Sequence, residues 1–284
     1  MSRVGRLLVL SGIGLGVAAT AALAVLLVAE SGGNGSRSGS QRVASHGRPV
    51  ATARAEGTSR SSQPTADQPT RTCASATWSP GRSGSFAAVV RRVAVIRSRP
   101  SGGTILARVP RLDRNRLPNV LAILGARGNG CRPAWYRVQF SNSGNGSSGW
   151  VGSWLVVSFR VDTRILVQLS ERRLVMYRSG RRAISARIGV GAARTPTPVG
   201  RFFVTERWRI LDPTGPLGPA VLGISAHSPA LRDWAQGGPV ALHGTNEPGS
   251  IGQAASHGCI RVDNAVIRQL LTYALLGTPV VIRS

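Results

Sequence analysis

The chain has 284 residues, with 36 basic residues against 11 acidic ones and a formal net charge of +25. Every basic residue is an arginine, and the excess extends over the whole chain, which excludes a simple basic tail and favours polyanions as partners: nucleic acid, anionic wall polymers or lipid headgroups. The length excludes a minimal domain that needs disulfides or a metal for stability.

Residues 1–30 predict export from the cytoplasm. Residues 7–29 carry no charge and follow Arg3 and Arg6, and a helix of that length spans about 34 Å, enough to cross a bilayer. We predict an uncleaved membrane anchor, with a cleaved signal segment as the alternative. Both place the rest of the chain outside the cytoplasm, anchored to the membrane or secreted to the wall, which argues against nucleic acid as the partner.

Residues 31–77 predict a disordered linker, because Ser, Gly and Arg dominate and large apolar residues are almost absent. The chain has three cysteines, at positions 73, 131 and 259. In an exported protein an odd count raises the question of which thiol is free. A disulfide between Cys73 and Cys131 would leave Cys259 as the reactive thiol, and the count allows this pairing without establishing it.

Residues 78–157 predict a small β-barrel or sandwich, since short β-prone runs alternate with Gly, Asn, Ser and Pro breaks. Residues 135–138 read WYRV and residues 149–151 read GWV, a pair that resembles bacterial SH3-like domains. The resemblance implies a binding or spacing module. The alternative is that these aromatic side chains only fill the barrel core.

Residues 160–284 predict a second, mainly β domain with one helix near the C-terminus. The runs 165–169 and 173–177 are separated by three polar residues and predict a hairpin. The helix is capped by Asp263 or Asn264 and ends before Gly277. Its apolar face comprises Ile267, Leu270, Leu271, Ala274 and Leu275.

Chemistry-bearing residues concentrate in the second domain, where His227, His243, His257 and Cys259 fall within 33 residues. A cysteine becomes a nucleophile as its thiolate, and a neighbouring imidazole can remove the thiol proton. His257 would lie about 7 Å from Cys259 on a strand, too far for contact. His243 ends a predicted strand and can approach from a neighbouring one, so the residues favour His243 as base without deciding between the two.

Several motifs in this region resemble the L,D-transpeptidase (YkuD) family. Residues 243–248 read HGTNEP and residues 256–261 read SHGCIR, the family's His-Gly followed by Ser-His-Gly-Cys. Residues 195–202 (TPTPVGRF), 217–219 (LGP) and 277–282 (GTPVVI) agree as well, in the family's order. The resemblance implies a β-sandwich-type catalytic domain that needs no cofactor or metal and acts on peptidoglycan stem peptides.

The reaction implied by the resemblance transfers the acyl group of residue three of a tetrapeptide stem to an amine of another stem, which makes a 3→3 cross-link. Cys259 would attack the carbonyl and form a thioester. His243 would take the thiol proton and protonate the leaving D-alanine, while the backbone carbonyl of Gly244 orients its imidazole.

Further roles follow from the same resemblance. Backbone N–H groups near Gly258 would stabilise the oxyanion, with His257 as a structural or oxyanion-side residue. Arg261 would bind a stem carboxylate, with Thr245 and Ser256 also contacting substrate.

Three alternatives remain open at the level of sequence. The thioester could be transferred to water, as in a carboxypeptidase, or to a protein amine. His243, His257 and Cys259 could instead bind zinc, with Asp263 or His227 as fourth ligand. The chain could also be a non-catalytic wall-binding protein.

Overall fold

The computed structural model describes residues 84–128, 132–141, 144–231 and 238–284, all within one compact unit, Asp67–Ser284. The predicted membrane segment, the linker, and both Cys73 and Cys131 lie outside the described residues. Within those ranges no helix is long and apolar enough to cross a membrane.

The first seven strands form one antiparallel sheet in the order β3-β2-β6-β5-β4-β1-β7. Their bounds are β1 (Ser85–Val90), β2 (Ala94–Arg97), β3 (Ile105–Val109), β4 (Val120–Arg127), β5 (Trp135–Gln139), β6 (Ser148–Gly152) and β7 (Val156–Val161). Alternation places Tyr136 and Val138 in its core, with Trp135 packed edge-on against Trp154 at 5.2 Å. The SH3-like resemblance of this part stays a prediction, as does the predicted division into domains.

β7 determines where the first sheet ends. It pairs along its whole length with β1, from Ser85 opposite Val161 to Val90 opposite Val156. The first sheet therefore continues to Val161, past residue 157, where the sequence placed the end of the first domain.

The remaining strands form a nine-stranded sheet in the order β14-β10-β15-β13-β12-β11-β16-β8-β9. Their bounds are β8 (Thr163–Gln168), β9 (Arg173–Arg178), β10 (Arg181–Gly191), β11 (Gly200–Arg209), β12 (Ala220–His227), β13 (Pro239–His243), β14 (Ala254–Ser256), β15 (Ile260–Val262) and β16 (Pro279–Arg283). The long strand β10 pairs with β9 in its first half and with β15 in its second. In the same way, β11 pairs first with β16 and then with β12. They thus connect two half-sheets around one apolar core.

One α-helix, α1 (Asn264–Tyr273), lies among the described residues. Asp263 caps it by accepting a hydrogen bond from the N–H of Ala265, and Ile267, Leu270 and Leu271 are buried against the second core. The guanidinium of Arg207 reaches across from β11 to the carbonyl of Leu271. The predicted fold class is confirmed: the protein is mainly β, with one helix near the C-terminus.

The two sheets meet at a small apolar cluster. Ala87, Val120 and Val161 are buried together. Leu276, which lies between α1 and β16, packs against them. Gln139 adds a hydrogen bond from its Nε2 to the carbonyl of Arg201, at 2.7 Å. The first sheet is therefore fixed to the segment that follows α1.

Gly277 offers a test of this contact, since it has φ +78° and a Cβ at this position would overlap the Cβ of Ala87. Gly277→Ala combines left-handed backbone strain with overpacking, so we expect it to lower the free energy of unfolding by about 2–5 kcal/mol in urea titrations. Gly249→Ala is the matched control, because nothing lies within 4 Å of a Cβ there. Equal effects of the two substitutions would contradict this packing.

Candidate active site

Parallel pairing of β13 with β15 brings the predicted catalytic residues together. Leu242 lies opposite Ile260 and His243 lies opposite Arg261. Cys259 directly precedes β15, next to Ala241, whose backbone N–H hydrogen-bonds the thiol. Ala241 and His243 are two residues apart and share one face of β13. Cys259 and His243 are thus adjacent on one face of two neighbouring strands.

The ring of His243 is held in one tautomer. Its Nδ1 donates to the backbone carbonyl of Gly244 at 2.6 Å, and since a carbonyl only accepts, the proton must be on Nδ1. Burial lowers the pKa of His243; the Gly244 contact opposes this shift, and the charge of Arg261 reinforces it. The ring is therefore a neutral imidazole with an unprotonated Nε2, the form that acts as a base.

The thiol of Cys259 is stabilised in its neutral form. Burial raises its pKa, while the N–H of Ala241 and the charge of Arg261 lower it less. At neutral pH the resting pair is consequently thiol and imidazole, rather than thiolate and imidazolium. Attack by Cys259 then requires proton removal by a base during the reaction.

The turn before Cys259 is organised by Ser256. Its hydroxyl donates to the carbonyl of Cys259 at 2.6 Å and accepts from the N–H of Gly258 at 3.1 Å. Gly258 has φ +114°, a conformation that favours glycine. The N–H of Gly258 is thus bonded to Ser256 in this conformation. The remaining backbone donor that this turn can offer to an oxyanion is the N–H of Cys259.

The loop after His243 is fixed by a residue whose role the sequence did not indicate. The side chain of Asn264 accepts from the N–H of Thr245 at 2.8 Å and donates to its carbonyl at 3.0 Å. The hydroxyl of Thr245 accepts from the N–H of Glu247. Thr245 and Ser256 are both buried with hydroxyls bound to backbone, so their predicted contacts with substrate stay predictions.

Arg261 lies opposite His243 in the pairing of β13 with β15. Its guanidinium contacts the carboxylate of Glu247 at 2.6 Å, while its Nε is buried with no hydrogen-bond partner among the described residues. Its charge lowers the pKa of both His243 and Cys259. Whether it binds a stem carboxylate stays a prediction, and the geometry adds an electrostatic role.

The structure describes two further histidines, and the predicted structural or oxyanion-side role of His257 stays a prediction. His257 is exposed in the turn, and His227 lies opposite Pro239, at the far end of β13 from His243. Within the described ranges no group of three or more His, Cys, Asp or Glu side chains is arranged to hold a metal ion. The zinc interpretation therefore has no ligand set in the described part of the chain.

Comparisons with known proteins give a consistent result. The model of the YkuD family, the L,D-transpeptidase catalytic domain, matches residues 162–282. A YkuD protein named as an L,D-transpeptidase from Bacillus licheniformis is 36% identical over 117 residues, which cover 41% of this chain and 63% of the relative. Its counterpart from Bacillus subtilis strain 168 is 32% identical over 124 residues, 44% of this chain and 68% of the relative.

This chain thus spans less than two thirds of the Bacillus licheniformis relative. Among solved structures, an L,D-transpeptidase from Mycobacterium tuberculosis H37Rv is similar over 69% of this chain and 96% of its own, with 13% identity and a TM-score of 0.40.

The neutral resting state of the thiol can be tested by alkylation. We expect the rate of carboxamidomethylation of Cys259, followed by peptide mass spectrometry, to rise with a midpoint above the ordinary cysteine pKa of about 8.5. Arg261→Gln should move this midpoint higher, because the substitution removes a stabilising positive charge. Arg268→Gln on α1 is the control and should leave it unchanged. A midpoint near neutral pH would show a preformed thiolate instead.

Proposed function

The chain belongs to the YkuD family of L,D-transpeptidase catalytic domains, and we propose from this that it is a cysteine-dependent enzyme that cross-links peptidoglycan. One observation carries the proposal: His243 has its Nδ1–H engaged by Gly244, so its Nε2 is a base on the same face as the buried thiol of Cys259. The family's chemistry requires this pair.

In the proposed first half-reaction, Nε2 of His243 takes the thiol proton while Sγ of Cys259 bonds to the carbonyl carbon of residue three of a donor stem. The resulting oxyanion is stabilised by the backbone N–H of Cys259. The tetrahedral intermediate expels terminal D-alanine, whose nitrogen receives the proton from His243. A thioester on Cys259 remains, and His243 is neutral again.

In the second half-reaction, a side-chain amine of an acceptor stem attacks the thioester. His243 takes a proton from this amine and returns it to Sγ of Cys259 as the carbon–sulfur bond breaks. A new amide joins residue three of one stem to residue three of the other, and the free thiol is restored. Transfer to water or to a protein amine follows the same steps with a different acceptor.

The place of reaction is part of the proposal. An anchored or secreted chain with residues 78–284 outside the cytoplasm would meet peptidoglycan directly. The arginine excess favours retention near anionic envelope polymers. The proposed chemistry uses the side chains of Cys259 and His243 and involves no cofactor.

The proposal is tested by incubating the purified full chain with a tetrapeptide muropeptide and analysing the products by mass spectrometry. We expect a 3→3 dimer and free D-alanine, both absent with Cys259→Ala. His243→Gln should slow product formation by about 10²–10⁴-fold, the usual loss on removing a general base.

His46→Gln, which precedes the described residues, is the matched histidine control and should act as the unmodified chain does. Dimer formation by Cys259→Ala would refute the proposal. Tripeptide without dimer would identify water as the acceptor.

The lowered pKa of His243 predicts the pH dependence of acylation. Because the imidazole must be neutral to act as a base, activity should persist below pH 6.5, the ordinary histidine pKa, and fall only as the pH passes the lowered value. Rapid-mixing measurement of acyl-enzyme formation by mass spectrometry gives this profile. His257→Gln should leave the acid limb of the pH–rate profile unchanged. If substitution of His257 shifts this limb and substitution of His243 does not, His257 is the base instead.

A further inference from the structure

A cavity of about 970 Å³ lies between the first sheet and the catalytic face of the second. Its lining includes Asp113 and Asn115 from the first sheet's side, and Glu206 and Ser228 from the second. Asn145 fixes the two sides at one end, because its side chain both donates to the carbonyl and accepts from the N–H of His227, at 2.8 Å each. This cavity is not part of the catalytic pair described above.

Two carboxylates face this cavity. Glu206 accepts hydrogen bonds from Nε1 of Trp208 at 2.8 Å and from Nδ2 of Asn115 at 3.4 Å. Asp113 accepts from the backbone N–H groups of Asn115 and Leu117, each at 2.8 Å. Neutral donors therefore hold both carboxylates in place. We call Asp113 and Glu206 the acidic pair.

Neither carboxylate of the acidic pair forms a salt bridge among the described residues, although the chain carries 36 arginines and Arg114 lines the same cavity. Burial raises the pKa of Glu206. The hydrogen bonds from Trp208 and Asn115 oppose this shift, and the negative charge of Asp113 adds to it. A cation placed between the two carboxylates would offset both the burial and the effect of this charge.

Strand register connects the acidic pair to the nucleophile. Glu206 lies opposite Gly223, and Gly223 lies opposite Ala241, which neighbours Cys259 on the next strand. Residues directly opposite one another project from the same face of a sheet. Glu206 and Cys259 thus stand at the two ends of one row, three strand spacings or about 14 Å apart.

The two middle members of this row are small. They are Gly223 and Ala241, and the Cβ of Glu206 lies 3.1 Å from where a Cβ would stand at Gly223. Ser228 lines the cavity, is only 1% exposed, and has a hydroxyl without a hydrogen-bond partner among the described residues. It lies 3.5 Å from where a Cβ would stand at Gly258. Ser228 therefore places an unsatisfied polar group in the cavity, beside the turn that holds Cys259.

We infer that the acidic pair binds the side-chain ammonium of the donor stem's third residue while Cys259 attacks the carbonyl of that same residue. The inference rests on the proposed function, since a 3→3 bond requires residue three to carry both a carbonyl and a side-chain amine. In a lysine-like residue these groups are about 7 Å apart, and a glutamate side chain with an ion-pair contact adds roughly 7 Å more. Together with the side chain of Cys259, these lengths are enough to span the row.

The test compares two tetrapeptide donors that end in D-alanine, one with lysine at position three and one with Nε-acetyllysine. Acetylation removes the charge and keeps the rest of the side chain. We expect kcat/KM for acyl-enzyme formation by the full chain to be at least 10-fold higher for the lysine donor. Glu206→Gln should abolish this preference by slowing only the lysine donor, Asp113→Asn should reduce it, and Glu206→Asp should restore part of it.

Glu171→Gln, an exposed carboxylate in the β8–β9 turn, is the matched control and should keep the full preference. Thermal melting confirms that each variant is folded. Equal rates for both donors in the unmodified chain would overturn the inference and leave the proposed function intact. Equal slowing of both donors by Glu206→Gln would show a structural role only and would also overturn it. Absence of acyl-enzyme with either donor would overturn the inference together with the proposed function.

Discussion

The parallel pairing of β13 with β15 is the constraint on which the site depends. It sets the end of one strand against the beginning of the other, so that His243 and Cys259 meet although a loop separates them in sequence. That loop must bring the chain from the end of β13 back to the beginning of β15 without displacing either residue. Asn264 fixes its start and Ser256 fixes its end through hydrogen bonds to backbone. The catalytic geometry is thus a property of the loop's anchors as much as of the reacting side chains.

Burial of this pair determines how it reacts. Removing water disfavours both imidazolium and thiolate, so the ground state holds no charge that the site must stabilise. In the proposed reaction, charge develops only when the substrate carbonyl binds, and backbone dipoles then act in a medium of low dielectric. Arg261 forms a salt bridge with Glu247, and its positive charge lowers the pKa of both His243 and Cys259.

Much of the fold follows from local sequence signals. The runs 165–169 and 173–177 form the predicted hairpin as β8 and β9, and the helix follows its apolar period and its Asp263 cap. β3 has no clear signal in the sequence, because Ile105 and Leu106 are both 44% exposed and break the alternation. β15 has none because three residues carry too little pattern. The choice of His243 over His257 as base depends on strand register. The order of the motifs, through the family resemblance, indicated this choice, and composition did not. Asn264 bonds Thr245 and Glu206 bonds Asn115, both distant in sequence, while the hydroxyl of Ser228 has no hydrogen-bond partner among the described residues. No local pattern in the sequence marks these three residues.

The contacts of the first sheet with the catalytic face suggest a second role for this sheet. As a wall-binding module it would act only as a tether, yet Asp113 and Asn115 reach the row that ends at Cys259. Two electrostatic scales then coexist. The arginine excess acts on approaching polyanions but is screened beyond about 8 Å at physiological ionic strength. The half-buried acidic pair is screened much less and acts only on groups already in contact. A strongly positive protein can therefore attract an anionic polymer and still select, within it, a residue that bears an ammonium group.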